Sequence, residues 1–210
     1  MATGGSRRKV QPGDPAPDFT LPAADREGVV SLSEYRGRSP VLLALFRGLY
    51  CPFCRRQMTQ LGASAETLKA AGVATLGVVA SAPDRARLYF RYRPSRIPLG
   101  ADPELTTHRA YDLPQFPLTP QIIEAVDSAA LEWARQLGLP AQPGEAHKAL
   151  DRVDGFEPVE SDAAEYERHQ ALIIGQFLID PAGIVRWTNI ERKVGDFPSA
   201  EELLAVARAL

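Results

Sequence analysis

The sequence has few cysteines, no long hydrophobic run and almost no net charge, and each shortage excludes a class of protein. The longest apolar run, Val41 to Phe46, is far shorter than the ~20 residues that a membrane-spanning helix requires. A formal charge of −2 gives no electrostatic reason to expect a nucleic acid as partner. Two cysteines in 210 residues also exclude a disulfide-stapled scaffold. We therefore expect neither a membrane nor a nucleic acid as partner.

The composition that remains is typical of a folded globular chain. Hydrophobic residues make up 45% and charged residues 24% of the sequence. A chain of 210 residues can bury a core large enough to fold without disulfides or metals. Residues 1–20 contain no apolar segment of the kind that begins a secretory signal, so we expect a cytoplasmic protein.

The spacing of apolar residues alternates between the periods of strands and helices. Residues 41–46 and 73–80 predict strands buried on both faces, because each is a short continuous apolar run. Between them, apolar residues follow helical spacing. Two later strands, 173–180 and 184–190, are joined by a tight turn and should be antiparallel. This order predicts an α/β fold with a central mixed sheet and helices on both faces.

The chain is predicted to be one domain, residues 13–210, after a flexible tail of residues 1–12. Proline and glycine interrupt the alternating pattern between about residues 114 and 169, which predicts an insertion. Within it we expect helices at 121–137 and 161–169, with a looser stretch between them. Earlier in the chain, Ser81 lies three residues before Asp84 and is expected to cap a helix that ends near Arg93.

Both cysteines lie in one motif, Cys51-Pro52-Phe53-Cys54, between the strand 41–46 and the next helix. Proline is favoured at the first helical position, so Cys51 should lie at the helix N-terminus, where unpaired N–H groups stabilise a thiolate. Cys54, one turn later, can close a disulfide with it. A disulfide across so short a loop adds little stability, so the pair predicts redox chemistry.

Other interpretations of the pair are weaker. A zinc site requires four ligands, and the sequence has no second cysteine pair. The three histidines do not show paired ligand spacing; they are His108, His147 and His169. We therefore expect no metal and no other cofactor. The remaining alternative is that the two cysteines are chemically inert.

Several neighbours are candidates to support the cysteines. Arg47, Arg55 and Arg56 add positive charge, and Tyr50 either packs over the thiol or belongs to the core. His169 is either a local acid or base or a charge at a helix C-terminus. The residues expected to support the pair are Arg47, Gly48, Tyr50, Pro52 and Arg55.

Four segments resemble peroxiredoxin-like proteins of the alkyl hydroperoxide reductase/thiol-specific antioxidant family, in the thioredoxin superfamily. They are Pro15-Ala16-Pro17-Asp18-Phe19-Thr20-Leu21, residues 46–55 around the cysteines, Ala101-Asp102-Pro103, and residues 177–185. The resemblance implies a thioredoxin-like fold with Cys51 as the attacking thiol and Cys54 as the resolving thiol. It implies a peroxide or disulfide substrate, a thioredoxin- or glutaredoxin-type protein as the thiol reductant, and compatibility with a homodimer.

The sequence departs from the family pattern at three positions. Peroxiredoxins typically carry Pro-x-x-x-Thr/Ser-x-x-Cys, and this chain has Ala44 and Gly48 where the Pro and the hydroxyl residue belong. Ile174 stands where the activating Arg is usual, and Arg47 is a candidate replacement. These departures predict a slow peroxidase and leave disulfide exchange open, as well as a non-enzymatic redox sensor or binding module. If the loop has the family shape, Gly48→Thr should raise peroxide turnover.

Overall fold

A computed structural model describes residues 9–210 as alternating helices and short strands; residues 1–8 of the predicted tail lie outside the described part. The strands are β1 (Thr20–Pro22), β2 (Val29–Ser31), β3 (Val41–Phe46), β4 (Ala74–Val79), β5 (Leu99–Ala101), β6 (Gln115–Phe116), β7 (Ala171–Leu172), β8 (Gly175–Ile179) and β9 (Val185–Ile190). The helices are α1 (Pro52–Ala70), α2 (Pro83–Tyr92), α3 (Thr106–Ala110), α4 (Pro120–Gln136), α5 (Ala146–Asp154), α6 (Glu160–His169) and α7 (Ala200–Arg208), with a 3-10 turn at Leu32–Tyr35.

The central sheet has the strand order β5-β4-β3-β8-β9. Strands β3, β4 and β5 are parallel, whereas β8 runs antiparallel to both β3 and β9. Because β8 runs opposite to its neighbours, the end of β3, the start of β8 and the end of β9 meet at one edge of the sheet. Leu45 pairs with Gly175, and Gly175 pairs with Ile190. This edge positions the cysteine motif that follows β3.

Strand β3 is buried along its whole length, and its residues alternate between two cores. Leu42 and Phe46 belong to the core that contains α1 and α7. Leu43 and Leu45 face the opposite core, which is covered by the β1–β2 hairpin, the 3-10 turn and the segment after α3. The mixed α/β architecture predicted from sequence is therefore confirmed, with β3 as its central strand.

Residues 114–169, predicted as an insertion, are more helical than the sequence indicated. The stretch expected to be loose contains α5, which ends at Gly155 with φ +58°. The stretch was expected to be loose because Pro140, Pro143 and Gly144 precede this helix and Gly155 follows it. Helix α4 (Pro120–Gln136) corresponds to the helix expected at 121–137.

The predicted capping role of Ser81 is also wrong. Helix α2 begins at Pro83, and its N-cap residue Ala82 has no side-chain cap. The Ala82 N–H instead donates to Glu165 Oε1 of α6 at 2.7 Å, and the Ser81 hydroxyl donates to the other oxygen of that carboxylate. A carboxylate from a distant helix therefore caps α2, which no local pattern could indicate.

Two arginines, the buried Arg55 and the half-buried Arg85, also join the 114–169 segment to the rest of the fold. Arg55 of α1 donates to Asp151 and Asp154 of α5, each at 2.6 Å. Arg85 of α2 pairs with Asp162 of α6 at 2.8 Å. Within residues 9–210, no helix is long and apolar enough to cross a membrane.

The inward face of α1 carries much of the packing, and Leu61 is fully buried there. We expect Leu61→Ala to lower the free energy of unfolding by about 2–5 kcal/mol, because the removed methyl groups leave a cavity. The matched control is Leu88→Ala on α2, where the side chain is 46% exposed and the cost should stay within ~0.5 kcal/mol. Urea unfolding measures both. Equal costs at the two positions would contradict this packing.

Candidate active site

Cys51 is the N-cap residue of α1, and Pro52 occupies the first helical position. The Cys51 Sγ accepts a hydrogen bond from the Cys54 N–H, with a donor-to-sulfur distance of 3.4 Å. Both cysteines are free thiols; Cys54 is fully buried and Cys51 is 7% exposed. Because Cys54 lies one turn into the helix, its side chain lies beside that of Cys51, as the motif predicted.

Arg47 directs its guanidinium at both sulfurs. Its Nη1 lies 4.0 Å from Cys51 Sγ and 4.0 Å from Cys54 Sγ. The same group is held by its Nε, which donates to the Leu172 carbonyl at 2.7 Å, and by a two-nitrogen contact with the carboxylate of Glu191. A positive charge thus lies where a thiolate would form, and it comes from the residue directly after β3.

The two thiols differ in acidity. Burial by itself raises the pKa of Cys51, but the hydrogen bond from the Cys54 thiol, the charge of Arg47 and the Cys54 N–H outweigh it and lower that pKa to about 6. Burial, together with the hydrogen bond and the charge of Cys51, raises the pKa of Cys54. Near neutral pH, Cys51 is therefore the thiolate and Cys54 keeps its proton, which is the arrangement of an attacking and a resolving thiol.

The backbone of the loop before Cys51 is held from both sides at Leu49. Its N–H donates to the Ser81 hydroxyl at 2.9 Å, and its carbonyl accepts from Arg55 at 2.6 Å. Ser81 donates in turn to Glu165, at 2.8 Å. Arg55, expected to add charge at the thiols, therefore supports the loop instead, and its own charge is matched by two aspartates of α5.

Gly48 leaves no room for a side chain. A Cβ at this position would lie 2.5 Å from Cε1 of Tyr50 and 2.7 Å from the Ala80 carbonyl oxygen. The Tyr50 ring thus fills the space beside position 48, the position at which the family pattern carries a hydroxyl residue. A threonine at position 48 would therefore have to displace the Tyr50 ring or the backbone near Ala80, and the gain in turnover expected of Gly48→Thr for a loop of the family shape stays a prediction.

Tyr50 turns its hydroxyl towards His169. The Tyr50 Oη lies 3.3 Å from His169 Nδ1, and His169 Nε2 lies 2.9 Å from the Pro103 carbonyl. His169 is fully buried, and burial lowers its pKa, so it does not act as a charge at the helix C-terminus. Tyr166 packs edge-on against Tyr50, with ring centroids 5.4 Å apart.

Phe53, inside the cysteine motif, contacts the segments that cover the site. Its ring lies against Trp133 of α4 at 5.4 Å and against His147 of α5 at 6.4 Å between centroids. On another side it contacts Gly195, where a Cβ would come within 3.2 Å of the ring. Gly195 belongs to the loop 191–198 that follows β9. Two separate parts of the chain therefore close over the cysteine loop and leave Cys51 little exposed.

Sequence reasoning missed Glu191, Ser81 and Glu165. Glu191 is only 6% exposed, and its N–H donates to the Ile174 carbonyl at the sheet edge where β3 ends. An acidic residue directly after a predicted strand was the available signal, but its use required the pairing of β8 with β9. Among the described residues, no group of three or more His, Cys, Asp or Glu side chains is arranged to hold a metal.

A family model described as AhpC/TSA matches residues 12–188, which include the cysteine motif, four strands of the central sheet and the first part of the fifth, β9. The chain belongs to the AhpC/TSA family. Two Mycobacterium tuberculosis proteins, provisionally named peroxiredoxins, are 32% identical to this AhpC/TSA chain over 106 residues. That region is 49% of this chain and 66% of each relative, so the chain spans just under two thirds of the length of those relatives.

Solved structures share the fold of this AhpC/TSA chain. Peroxidoxin BcpB from Mycobacterium tuberculosis has a TM-score of 0.62 at 15% identity, over 96% of this chain and 98% of its own. The reduced 2-Cys peroxiredoxin of Plasmodium vivax has a TM-score of 0.60 at 15% identity, and the match covers 94% of this chain and 80% of its own. A Chlorobium tepidum protein, provisionally described as the thiol:disulfide interchange protein DsbE, has a TM-score of 0.52 at 21% identity. The match covers 95% of this chain and 99% of its own. At these identities the likeness confirms the predicted thioredoxin-like fold alone.

The position of Arg47 in this AhpC/TSA site can be tested by titrating Cys51. In the wild type, the alkylation rate at Cys51 should rise with pH and be half-maximal near pH 6, because the thiolate is the reactive form. Arg47→Met should move the midpoint upward by about one unit or more, since the nearby positive charge is lost. The measurement is iodoacetamide labelling against pH, with the labelled cysteine identified by mass spectrometry.

Arg56→Met is the matched control, because Arg56 lies over the Trp133 ring at 4.8 Å and is not among the groups that shift the Cys51 thiol. Its midpoint should equal that of the wild type. An unchanged midpoint in Arg47→Met would contradict the assigned role of the guanidinium.

The packing at Gly48 gives a second test. Gly48→Thr should lower the free energy of unfolding by about 1–3 kcal/mol, because the new side chain must displace the Tyr50 ring or the backbone near Ala80. Gly48→Ala should show an effect of the same sign, since the clash begins at Cβ. Thermal or urea unfolding measures both variants. A stable Gly48→Thr protein with raised peroxide turnover would show that the loop has another shape.

Proposed function

We propose that this protein is a thiol peroxidase in which Cys51 attacks a hydroperoxide and Cys54 resolves the product as a Cys51–Cys54 disulfide. The observation that carries this proposal is the Arg47 guanidinium, 4.0 Å from both sulfurs. A positive charge at that place stabilises the attacking thiolate and the charge that develops on the peroxide oxygens. It supplies the function that Ile174, a fully buried apolar residue, cannot provide.

The chemistry takes two steps. The Cys51 thiolate attacks one peroxide oxygen, the O–O bond breaks, and its electron pair leaves with the other oxygen, which takes a proton and departs as water or an alcohol. Cys51 is then a sulfenic acid. Cys54 gives up its proton and attacks the Cys51 sulfur, the sulfenic hydroxyl leaves as water, and the disulfide forms. The two electrons that reduce the peroxide come from the thiol pair.

The burial of the site favours a small oxidant. Only 7% of Cys51 is exposed, and Phe53 beside it is covered by Trp133 and by the loop 191–198. A protein disulfide must bring one of its sulfurs into line with the attacking thiolate, which requires an accessible thiol. A hydroperoxide presents two small oxygen atoms and fits a narrow opening. Disulfide exchange is therefore the second candidate, supported by the adjacent position of Cys54 at the helix start.

A thiol reductant of the thioredoxin or glutaredoxin type would complete the cycle by reducing the Cys51–Cys54 disulfide. The C-x-x-C spacing keeps both sulfurs at the N-terminal end of α1, so an exchanging thiol would attack the disulfide at Cys51, the more exposed of the two. A homodimer stays a prediction from the family resemblance. We expect slow turnover, because Gly48 and Ile174 carry no donor group where the family pattern places two.

The test is oxidation of the reduced protein by hydrogen peroxide, followed by stopped-flow fluorescence and mass spectrometry. The wild type should gain one disulfide and no stable sulfenic acid. Cys54→Ser should accumulate a sulfenic acid on Cys51 that dimedone traps, because its resolving thiol is absent. Cys51→Ser should not consume peroxide.

The same samples are then given a glutathione mixed disulfide. If the wild type consumed negligible peroxide but reduced the mixed disulfide efficiently, its activity would be disulfide exchange instead. If neither substrate turned over while the disulfide still formed reversibly, the pair would be a redox switch without catalysis.

A further inference from the structure

Peroxide reduction needs a proton on the leaving oxygen. The Cys54 thiol keeps its proton but directs it at the attacking sulfur rather than at the leaving oxygen. Arg47 stays charged: burial lowers its pKa, but both sulfurs and Glu191 raise it further, so its proton is not available. Gly48 has no hydroxyl. Tyr50 is the polar side chain adjacent to Cys51 in the chain, and its ring lies against Gly48, whose carbonyl accepts the Cys51 N–H at 3.1 Å.

The hydrogen bonds of His169 define the direction of the Tyr50 hydroxyl. The Pro103 carbonyl can only accept, so His169 Nε2 carries the ring proton and donates it there. His169 Nδ1 is then the acceptor, and the Tyr50 hydroxyl donates to it at 3.3 Å. This bond is longer than the usual range, so the phenol proton can turn to another acceptor at little cost.

Charges at the site act on this phenol. The pKa of Tyr50 is raised by burial, and next by the charges of Cys51 and Cys54, while Arg47 opposes them. The phenol therefore keeps its proton in the resting site, as an acid that serves a later step must. The Tyr50 ring fills the side-chain space of Gly48, whose carbonyl accepts the Cys51 N–H, so the phenol belongs to the loop that carries the attacking sulfur. Tyr166, edge-on to Tyr50, is also influenced by Cys51, after burial.

We propose that Tyr50 is the acid that protonates the leaving oxygen during peroxide reduction, with His169 as the residue that positions it; this rests on the proposed peroxidase function. The Cys51 thiolate bonds to one oxygen, the O–O electron pair moves to the other, and that oxygen takes the Tyr50 proton and leaves as water or an alcohol. The tyrosinate regains its proton from solvent. The hydroxyl that position 48 cannot carry is supplied two residues later.

The test compares two oxidants that differ in their need for a proton. Hydrogen peroxide expels a strongly basic oxygen, whereas 5,5′-dithiobis(2-nitrobenzoate) expels an aromatic thiolate that leaves unprotonated. At pH 8, where the Cys51 thiolate is fully formed, Tyr50→Phe should slow oxidation by peroxide about 10²-fold and leave the reaction with the disulfide reagent unchanged. Tyr166→Phe removes a hydroxyl from the neighbouring ring and should change neither rate.

His169→Leu tests the positioning role. It should slow the peroxide reaction in the wild-type background. In the Tyr50→Phe background it should cause little further slowing, because both substitutions remove the same proton donation by the phenol. Equal peroxide rates in the wild type and Tyr50→Phe would overturn this proposal while leaving the peroxidase function intact. Equal losses with both oxidants would also overturn it, since the phenol would then act on the thiolate. A wild type that peroxide does not oxidise at Cys51 would overturn both.

Discussion

The site depends on one buried cation, the guanidinium of Arg47. A charge taken out of water must be matched by partners, and here they are the two sulfurs, the Leu172 carbonyl and Glu191. These partners follow or belong to different strands and meet only at the sheet edge where β3 and β9 end. The same carboxylate that fixes the guanidinium also disfavours the thiolate, because Glu191 raises the pKa of Cys51. The pKa of Cys51 is thus a balance between burial and Glu191, which raise it, and the Cys54 hydrogen bonds and Arg47, which lower it.

The second constraint is the fixed shape of the loop before Cys51. Both backbone polar groups of Leu49 are satisfied, and their partners Ser81 and Arg55 are themselves held by carboxylates from α5 and α6. Those helices belong to the 114–169 segment, which also places Trp133 over Phe53. The segment therefore supports the geometry of the cysteine loop as well as covering it. Pairing of both Leu49 backbone groups restricts how far the loop can rearrange when the thiol reacts.

The departures from the family pattern belong together physically. With no side chain at Gly48, the Tyr50 ring can pack back against the loop, and a Cβ there would prevent this. With Ile174 in the core, the positive charge comes from Arg47 on the neighbouring strand end. In this structure a positive charge reaches the sulfur from the end of β3, and an aromatic ring occupies the space of the missing hydroxyl side chain.

The fold class and the redox pair followed from the sequence, because strand runs, helical spacing and a cysteine at a strand-to-helix turn are local patterns. Arg47 and Tyr50 were candidates only because they are adjacent to the motif. The direction of each side chain, and the partners Glu191 and Glu165, depended on strand pairing and on contacts between residues more than 80 positions apart. Local patterns carry no information on such contacts, since chain entropy and packing of the whole domain decide which distant groups meet. Only the tertiary structure showed that the charged groups of Arg47 and Glu191 lie beside the two cysteines.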